Sequence, residues 1–258
     1  FNARALYEVT DNWNVYAGQG QRFRAPNVSD LSSLRSSRTD VISTGSLDIE
    51  PEEYLTYELG THFGGGPFTA SAAVFYTDIS DAIVSRPIGT VPGTGEIIST
   101  STNGSDGYLF GAELEAAWEF RPQWTLRGYL AWIDGEQDVF LGSSLSSVEE
   151  PMSRLAPLKG SLALRWDHPS DRFWMEARVT AAVDADRLSS GDKDDTSRIP
   201  VGGTPGYVVG SVNAGWQVND DLLALLSLEN VTDEDYRTHG SGLNEQGFNA
   251  VMSLKYSW

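Results

Sequence analysis

The stretch Gly107-Tyr108-Leu109-Phe110-Gly111-Ala112-Glu113-Leu114-Glu115-Ala116-Ala117-Trp118-Glu119-Phe120 decides the fold. Tyr108, Phe110, Ala112, Leu114, Ala116, Trp118 and Phe120 fall on one side of a two-residue repeat, and Gly107, Gly111, Glu113, Glu115 and Glu119 on the other. A helix would spread these carboxylates around its circumference, whereas a strand gathers them on one face. The same reading holds at 67–78, where Phe68, Ala70, Ala72, Val74 and Tyr76 oppose Thr69, Ser71, Ala73 and Thr77. It holds again at 158–167, with Leu158, Leu162, Leu164 and Trp166 against Lys159, Ser161, Arg165 and Asp167.

Outward from there, eleven such segments follow one another: about 1–10, 13–23, 53–63, 67–86, 107–120, 124–137, 158–168, 172–184, 206–218, 221–231 and 247–258. Most exceed the ~5 or 6 residues of an ordinary globular strand and match the ~9 to 11 tilted residues that cross a bilayer. Their connections alternate strictly. Short turns sit at Asp11-Asn12, Gly64-Gly65-Gly66, Arg121-Pro122-Gln123, Pro169-Ser170-Asp171 and Asn219-Asp220, and long loops fill 24–52, 87–106, 138–157, 185–205 and 232–246. A soluble sandwich has no reason to obey this parity, whereas outer-membrane barrels place short turns in the periplasm and long loops outside.

Aromatic placement agrees, because amphipathic rings favour membrane interfaces. Trp13, Phe63, Phe68, Phe120, Trp124, Trp166, Phe173, Trp216 and Trp258 flank the short turns as one belt, and Tyr76, Tyr108, Trp132 and Tyr207 form a second near the long loops. The expected fold is all-β: an antiparallel up-and-down transmembrane barrel wall of about 11 strands. An aromatic core between two packed sheets is the alternative.

Composition narrows the function. The 258 residues carry a formal charge of −18, with no Cys, 8 Trp, 10 Tyr and 10 Phe. A strongly negative field disfavours nucleic-acid partners, and the lack of Cys removes thiolate metal sites and thiol nucleophiles. The five long loops hold 18 Asp and Glu against 8 Lys and Arg, so the negative charge is mainly that of the outer rim. No Ser elbow, HExxH or Walker pattern is present, and Gly18-Gln19-Gly20 has Phe23 where a dinucleotide fingerprint needs its third Gly. The expectation is a non-enzyme without cofactor or resident metal.

Strand parity makes a further point. If short turns face the periplasm, eleven strands put the two chain ends on opposite faces, whereas a complete bacterial barrel has an even number. The expectation is that residues 1–258 are the C-terminal half of a barrel, with an N-terminal plug and first barrel half outside this chain, and that alone they form no stable closed pore.

Three stretches resemble the C-terminal half of TonB-dependent outer-membrane receptors. Phe23-Arg24-Ala25-Pro26 is similar to that family's FRAP segment. Leu47-Asp48-Ile49-Glu50-Pro51-Glu52 with Tyr57-Glu58-Leu59-Gly60 is similar to its L-x-PE and YE-x-G strand. Glu229-Asn230-Val231-Thr232-Asp233, Tyr236-Arg237, Gly247 and the aromatic-ended last segment resemble its ENLTD terminal region, with Phe248 where Arg is usual. The resemblance implies a 22-stranded, plugged barrel. It also implies active import of a scarce ligand, foremost a ferric siderophore or related iron complex, at the outer membrane. The implied partners are membrane lipid and lipopolysaccharide, the TonB energy-transducing complex through the N-terminal region, and the outer-membrane assembly machinery. Phe248, Tyr256 and Trp258 would belong to a terminal assembly signal.

Candidate ligand contacts are the external-loop cations Arg24, Arg35, Arg38, Arg198 and Arg237, whose guanidinium groups suit an anionic chelate, together with His239. His62 and His168 lie toward the periplasmic end. Haem receptors of the family carry a His after FRAP, and residues 27–51 have none. Glu58, Glu113, Glu115, Glu119, Glu176 and Glu229 share inward faces with Arg4, Arg127, Lys159, Arg165, Arg178 and Lys255, which predicts a lumen wall of cross-strand ion pairs. Asp192, Asp194 and Thr196 imitate the start of a calcium loop, without its Gly or closing Glu. Other readings are a passive porin, a haem or other non-siderophore receptor, an outer-membrane enzyme and a soluble β-rich domain.

Overall fold

The computed structural model describes residues 1–32, 34–36 and 41–258. In chain order the elements are β1 (Asn2–Thr10), β2 (Trp13–Arg24), α1 (Val28–Ser32), β3 (Leu34–Ser36), β4 (Val41–Thr44), β5 (Glu52–Gly65), β6 (Phe68–Thr90), β7 (Ile97–Arg121), β8 (Trp124–Phe140), β9 (Ser147–Pro151), β10 (Lys159–Asp167), β11 (Phe173–Ala182), α2 (Ser190–Asp194), β12 (Tyr207–Gln217), β13 (Leu222–Glu229) and β14 (Asn249–Tyr256). Eleven strands form one path, β1-β2-β5-β6-β7-β8-β10-β11-β12-β13-β14. Each is antiparallel to its neighbours. They correspond one for one to the eleven segments read from the sequence. Among the described residues β1 pairs only with β2 and β14 only with β13, so the wall is not closed.

Register fixes the faces, because residues paired across strands share a side. One row runs Trp13, Phe63, Ala70, Ala116, Gly128, Leu162, Val179, Gly210. The opposite row runs Tyr16, Gly60, Ala73, Glu113, Ala131, Lys159, Ala182, Tyr207. The first face is apolar and bare: Leu162 is 55% exposed, Val179 50% and Met252 69%. Among the described residues seven hydrophobic side chains are buried, and Ala185, Leu188 and Ile199 of these lie in a loop rather than between sheets. Among the described residues no second layer covers the apolar face. Its natural solvent is lipid, and the charged face lines a lumen.

The turns at one end of the wall are short, and several hold a residue at positive φ: Gly66 (57°), Gln123 (70°) and Asp171 (56°). Inside the wall, glycines on the lumen face make room for rings, Gly111 for that of Phe75 among them. Tyr16 packs flat against Gly60, and Trp174 against Gly215, where any Cβ would collide with the ring. These contacts join β2 to β5 and β11 to β12 on the lumen face.

Four expectations change. The loop expected at 87–106 is mostly ladder: β6 and β7 continue as a long hairpin closed at 91–96, with bulges near Ile79–Ile83. Its Ile, Ser and Thr residues suit extended backbone as well as any membrane strand does. β8 likewise runs on to Phe140 and pairs with β9, and the loop at 24–52 contains α1, β3 and β4, with β4 parallel to β7. Tyr207 does not join the lipid-side belt. Its register with Ala182 and Lys159 puts it on the lumen side, 8% exposed. Finally, the lumen ion pairs Arg165–Asp167 (2.7 Å) and Arg178–Glu176 (2.9 Å) run along one strand between residues two apart, not across strands. Same-face neighbours two apart are within an arginine's reach. Glu58, Glu113, Glu115 and Glu119 form no ion pair among the described residues.

Candidate functional site

At the outer rim, the stretches that resembled a family are structural fasteners. Arg24 ends β2 directly opposite Glu52, which starts β5. Its Nε and Nη2 donate to Oε2 and Oε1 of Glu52 at 2.5 and 2.6 Å, and Nη1 donates to Asp30 Oδ2 at 3.1 Å. Tyr54 Oη (2.6 Å) and the Ile83 amide (2.8 Å) also donate to Glu52. Glu52 stands five residues beyond Tyr57, which pairs with Tyr76 of the outer aromatic girdle, and so lies about 12 Å above it for a tilted strand. Burial opposes its charge, but the donors from Arg24, Tyr54 and Ile83 outweigh burial and hold its pKa down to about 2.

Asn230 plays the same part after β13. At φ 47° and 6% exposed, it donates from Nδ2 to the carbonyls of Glu234 (2.8 Å) and Gln246 (3.0 Å) and accepts from the Glu234 amide (2.9 Å). Asp233 Oδ1 accepts from the Phe248 amide at 2.8 Å and fills the space a Cβ on Gly247 would need. The loop 232–246 is thereby closed at its base.

Three loops are then tied together. Ser189 and Asp192 cap α2 reciprocally. Asp192, 2% exposed, also accepts from Ser153 Oγ (2.6 Å) and the Arg154 amide (3.2 Å), reaching into the 152–157 segment. Burial opposes its charge and these donors prevail, so its pKa lies below the ordinary carboxylate value. Arg154 and Arg198 share Asp195 at 2.9 and 3.2 Å. Ser190 bonds Glu150, and Thr204 Oγ1 meets His239 Nδ1 at 2.9 Å. On the lipid-side face Arg187 clamps Asp134 and Glu136.

The tied loops enclose a cleft of about 140 Å³ at the lumen side of β10, β11 and β12, lined by Arg154, Lys159, Tyr207, Arg237 and His239 among apolar residues such as Pro157 and Val183. Among the described residues no carboxylate lines it, in a chain of charge −18. Lys159 and Arg237 form no ion pair among the described residues. Arg237 Nε donates to Asn244 Oδ1 at 2.8 Å. The Tyr207 and Tyr236 rings lie 4.4 Å apart beside the cleft. Burial pushes the His239 imidazole below its ordinary pKa, opposed by the charge of Asp192 and aided by that of Arg154. Chemically the cleft is a small recess with apolar walls and a cationic lining.

The sequence candidates separate accordingly. Arg237 and His239 line the cleft, whereas Arg198 does not; its carbonyl accepts from Arg237 Nη1 at 3.5 Å and its side chain is bound to Asp195. Arg24 is committed to Glu52 and Asp30. Arg35 lies in β3 opposite Ser43, and Arg38 lies outside the described residues. Asp192 of the calcium-like run serves as a cap, and no cluster of three or more metal-ligating side chains occurs among the described residues. Tyr256 sits in β14 on the apolar face, opposite Leu222, while Phe248 and Trp258 flank that strand and are exposed. Lys159 and Arg154 were missed as ligand candidates. Lys159 could have been found, since strand parity places it inward at the outer end of β10, but nothing local singles out Arg154.

An open antiparallel wall, apolar outside and charged inside with tied loops on one rim, defines an outer-membrane-type β-barrel. Residues 1–231 match the family model described as TonB dependent receptor-like, beta-barrel, and the chain belongs to that family, which sits in the outer membrane. It is 26% identical over 245 residues to the pesticin receptor of Yersinia enterocolitica, covering 92% of this chain and 31% of that protein. It is 23% identical over 254 residues to the catecholate siderophore receptor Fiu of Escherichia coli K12, covering 96% of this chain and 30% of that one. The fold is that of the copper transporter OprC, with a TM-score of 0.78 at 19% identity over 100% of this chain and 39% of the other. The chain thus spans about a third of the length of the curated relatives it matches.

Proposed function

We propose that this chain forms the C-terminal part of the barrel of an outer-membrane receptor that captures a scarce iron complex, foremost a ferric siderophore, and imports it with energy supplied through TonB. The observation that carries the reading is the tied loop bundle at the outer rim, which builds a cationic recess on the lumen side of the wall. A passive porin needs an open mouth, whereas a capture receptor needs a preorganised one. The names of the relatives, a pesticin receptor and a catecholate siderophore receptor, support the same class. The chemistry is binding and gating without bond making. The remaining barrel, a plug and the TonB-contact segment belong to the rest of the receptor. Lipopolysaccharide surrounds the outer face, and Phe248, Tyr256 and Trp258 serve recognition by the assembly machinery.

The test is growth of a strain lacking the complete gene on defined ferric chelates as sole iron source. The reading expects induction by iron limitation and a growth defect on at least one chelate, restored by the gene. Absence of both would refute it.

A further inference from the structure

We propose that the β8–β9 hairpin is a pH-operated latch on the outer loops: a proton on Glu149 clamps β9 to β8 and, through Glu150, holds the loop that carries α2, and its loss loosens both. The device is independent of which ligand the recess takes and goes beyond the receptor reading.

Register is the first support. Beyond Trp132, the residues Asp134, Glu136 and Asp138 alternate onto the lipid-side face of β8. Glu149 of β9 lies directly opposite Asp138 and diagonal to Glu136, whose own partner is Pro151. Like charges directly opposite each other across a ladder are destabilising. From β7, Tyr108 Oη donates to Glu136 Oε2 at 2.8 Å, and Asp106 shares that face two residues earlier. Arg187 is committed to Asp134 and Glu136, and the Arg86 guanidinium of β6 lies over the Phe140 ring at 5.5 Å. Asp138 and Glu149 form no ion pair among the described residues. A proton on Glu149 removes the repulsion and lets its carboxyl donate to Glu136. That hydrogen bond first, the charge of Glu136 next and that of Asp138 more weakly hold the Glu149 pKa above its ordinary value.

Marginal stability is the second. Among the described residues β9 pairs only with β8, and a two-stranded ladder is barely stable in water, so one cross-strand repulsion shifts its opening several-fold. Reach is the third. Glu150, on the opposite face from Glu149, accepts from the amide and Oγ of Ser190 at 2.9 and 2.7 Å. The Met152 amide donates to the Gly135 carbonyl at 3.0 Å, and Ser153 and Arg154 donate to Asp192. The anchorage of α2 therefore runs through β9 and the residues just after it. The sign follows from the raised affinity: the latch is complete below 4.5, the ordinary glutamate value, and is lost as pH rises through the folded one. This is the reverse of the dependence set by His239, whose pKa is lowered.

The experiment uses the protein expressed from its complete gene, purified from outer membranes. Amide exchange in 147–154 and in 189–195 is followed by mass spectrometry between pH 4.5 and 8, corrected for the intrinsic rate, in the wild type, E149Q, D138N and H239Q. Heat-modifiable gel migration checks that each variant is folded. Wild-type protection of both segments should fall about two- to fivefold as pH rises. E149Q should keep it high and flat, D138N should shrink the step, and H239Q should leave the β9 step in place. Flat protection in the wild type, a step of the opposite sign, or an undiminished step in folded E149Q or D138N overturns the latch. A step in 147–154 that leaves 189–195 unchanged refutes its reach to the loop of α2.

Discussion

Arg24 and Glu52 face each other at the outer ends of β2 and β5 and are joined by two near-parallel hydrogen bonds of 2.5 and 2.6 Å. A planar guanidinium on a carboxylate gives direction as well as energy. The pair also explains why the segments Phe23-Arg24-Ala25-Pro26 and Pro51-Glu52 go together, although 28 residues separate the partners. E52Q should leave Arg24 with a neutral acceptor and weaken the rim by about 1 to 3 kcal/mol, read as faster amide exchange at Ile83 and across α1.

The same pair sets an acid limit. The Glu52 pKa is lowered from 4.5 to about 2, so its contribution is complete above the unfolded value and is lost as pH falls toward the folded one. Exchange at Ile83 should stay slow at pH 5 and accelerate on acidification toward about pH 2, and E52Q should abolish that step. Acceleration already near neutrality would contradict the assignment.

His239 acts in the same direction but in a higher pH window. Its folded pKa lies below 6.5, so the unfolded loop takes up the proton more readily and the loop loses stability as pH falls through that value. Exchange in 232–246 should rise between about pH 7.5 and 5.5. In H239Q, which keeps a hydrogen-bonding group beside Thr204, the pH dependence should vanish.

Asn230→Ala removes bonds to the Glu234 and Gln246 carbonyls and places Ala at φ 47°. A cost of about 2 to 4 kcal/mol to the loop base is expected, visible as protease cleavage within 232–246 while the wall stays folded. Cleavage at the wild-type rate would show that the staple is dispensable.

Gly215→Ala should disturb β11–β12 on the lumen side, because the added methyl meets the Trp174 ring. The expected result is a lower yield of heat-modifiable barrel, with Trp174→Ala/Gly215→Ala recovering part of it. An unchanged yield in the single variant would mean the ring has room elsewhere.

The wall was legible because membrane strands show their pattern without ambiguity: Leu114 and Glu115 can only face opposite solvents. All eleven wall strands were therefore visible, whereas β3, β4 and β9 were not, being short and held by contacts distant in sequence, such as β4 on β7. The β6–β7 extension was misjudged because Ile97-Ile98-Ser99-Thr100 does not alternate. At the rim, Arg24 read as a free cation since its partner lies in another strand, and Tyr207 read as a girdle residue since composition alone does not give register. That Lys159 and Arg237 line one cleft depends on how loop 232–246 folds back, which no local pattern announces.

Uptake of radioactive iron supplied as defined ferric chelates to intact cells tests the central claim most directly, comparing wild type, a strain without the gene and a strain without TonB. The account predicts saturable accumulation of at least one chelate that requires both the gene and TonB. Accumulation that needs the gene but persists without TonB would identify a passive pore, and accumulation indifferent to the gene would contradict the receptor altogether.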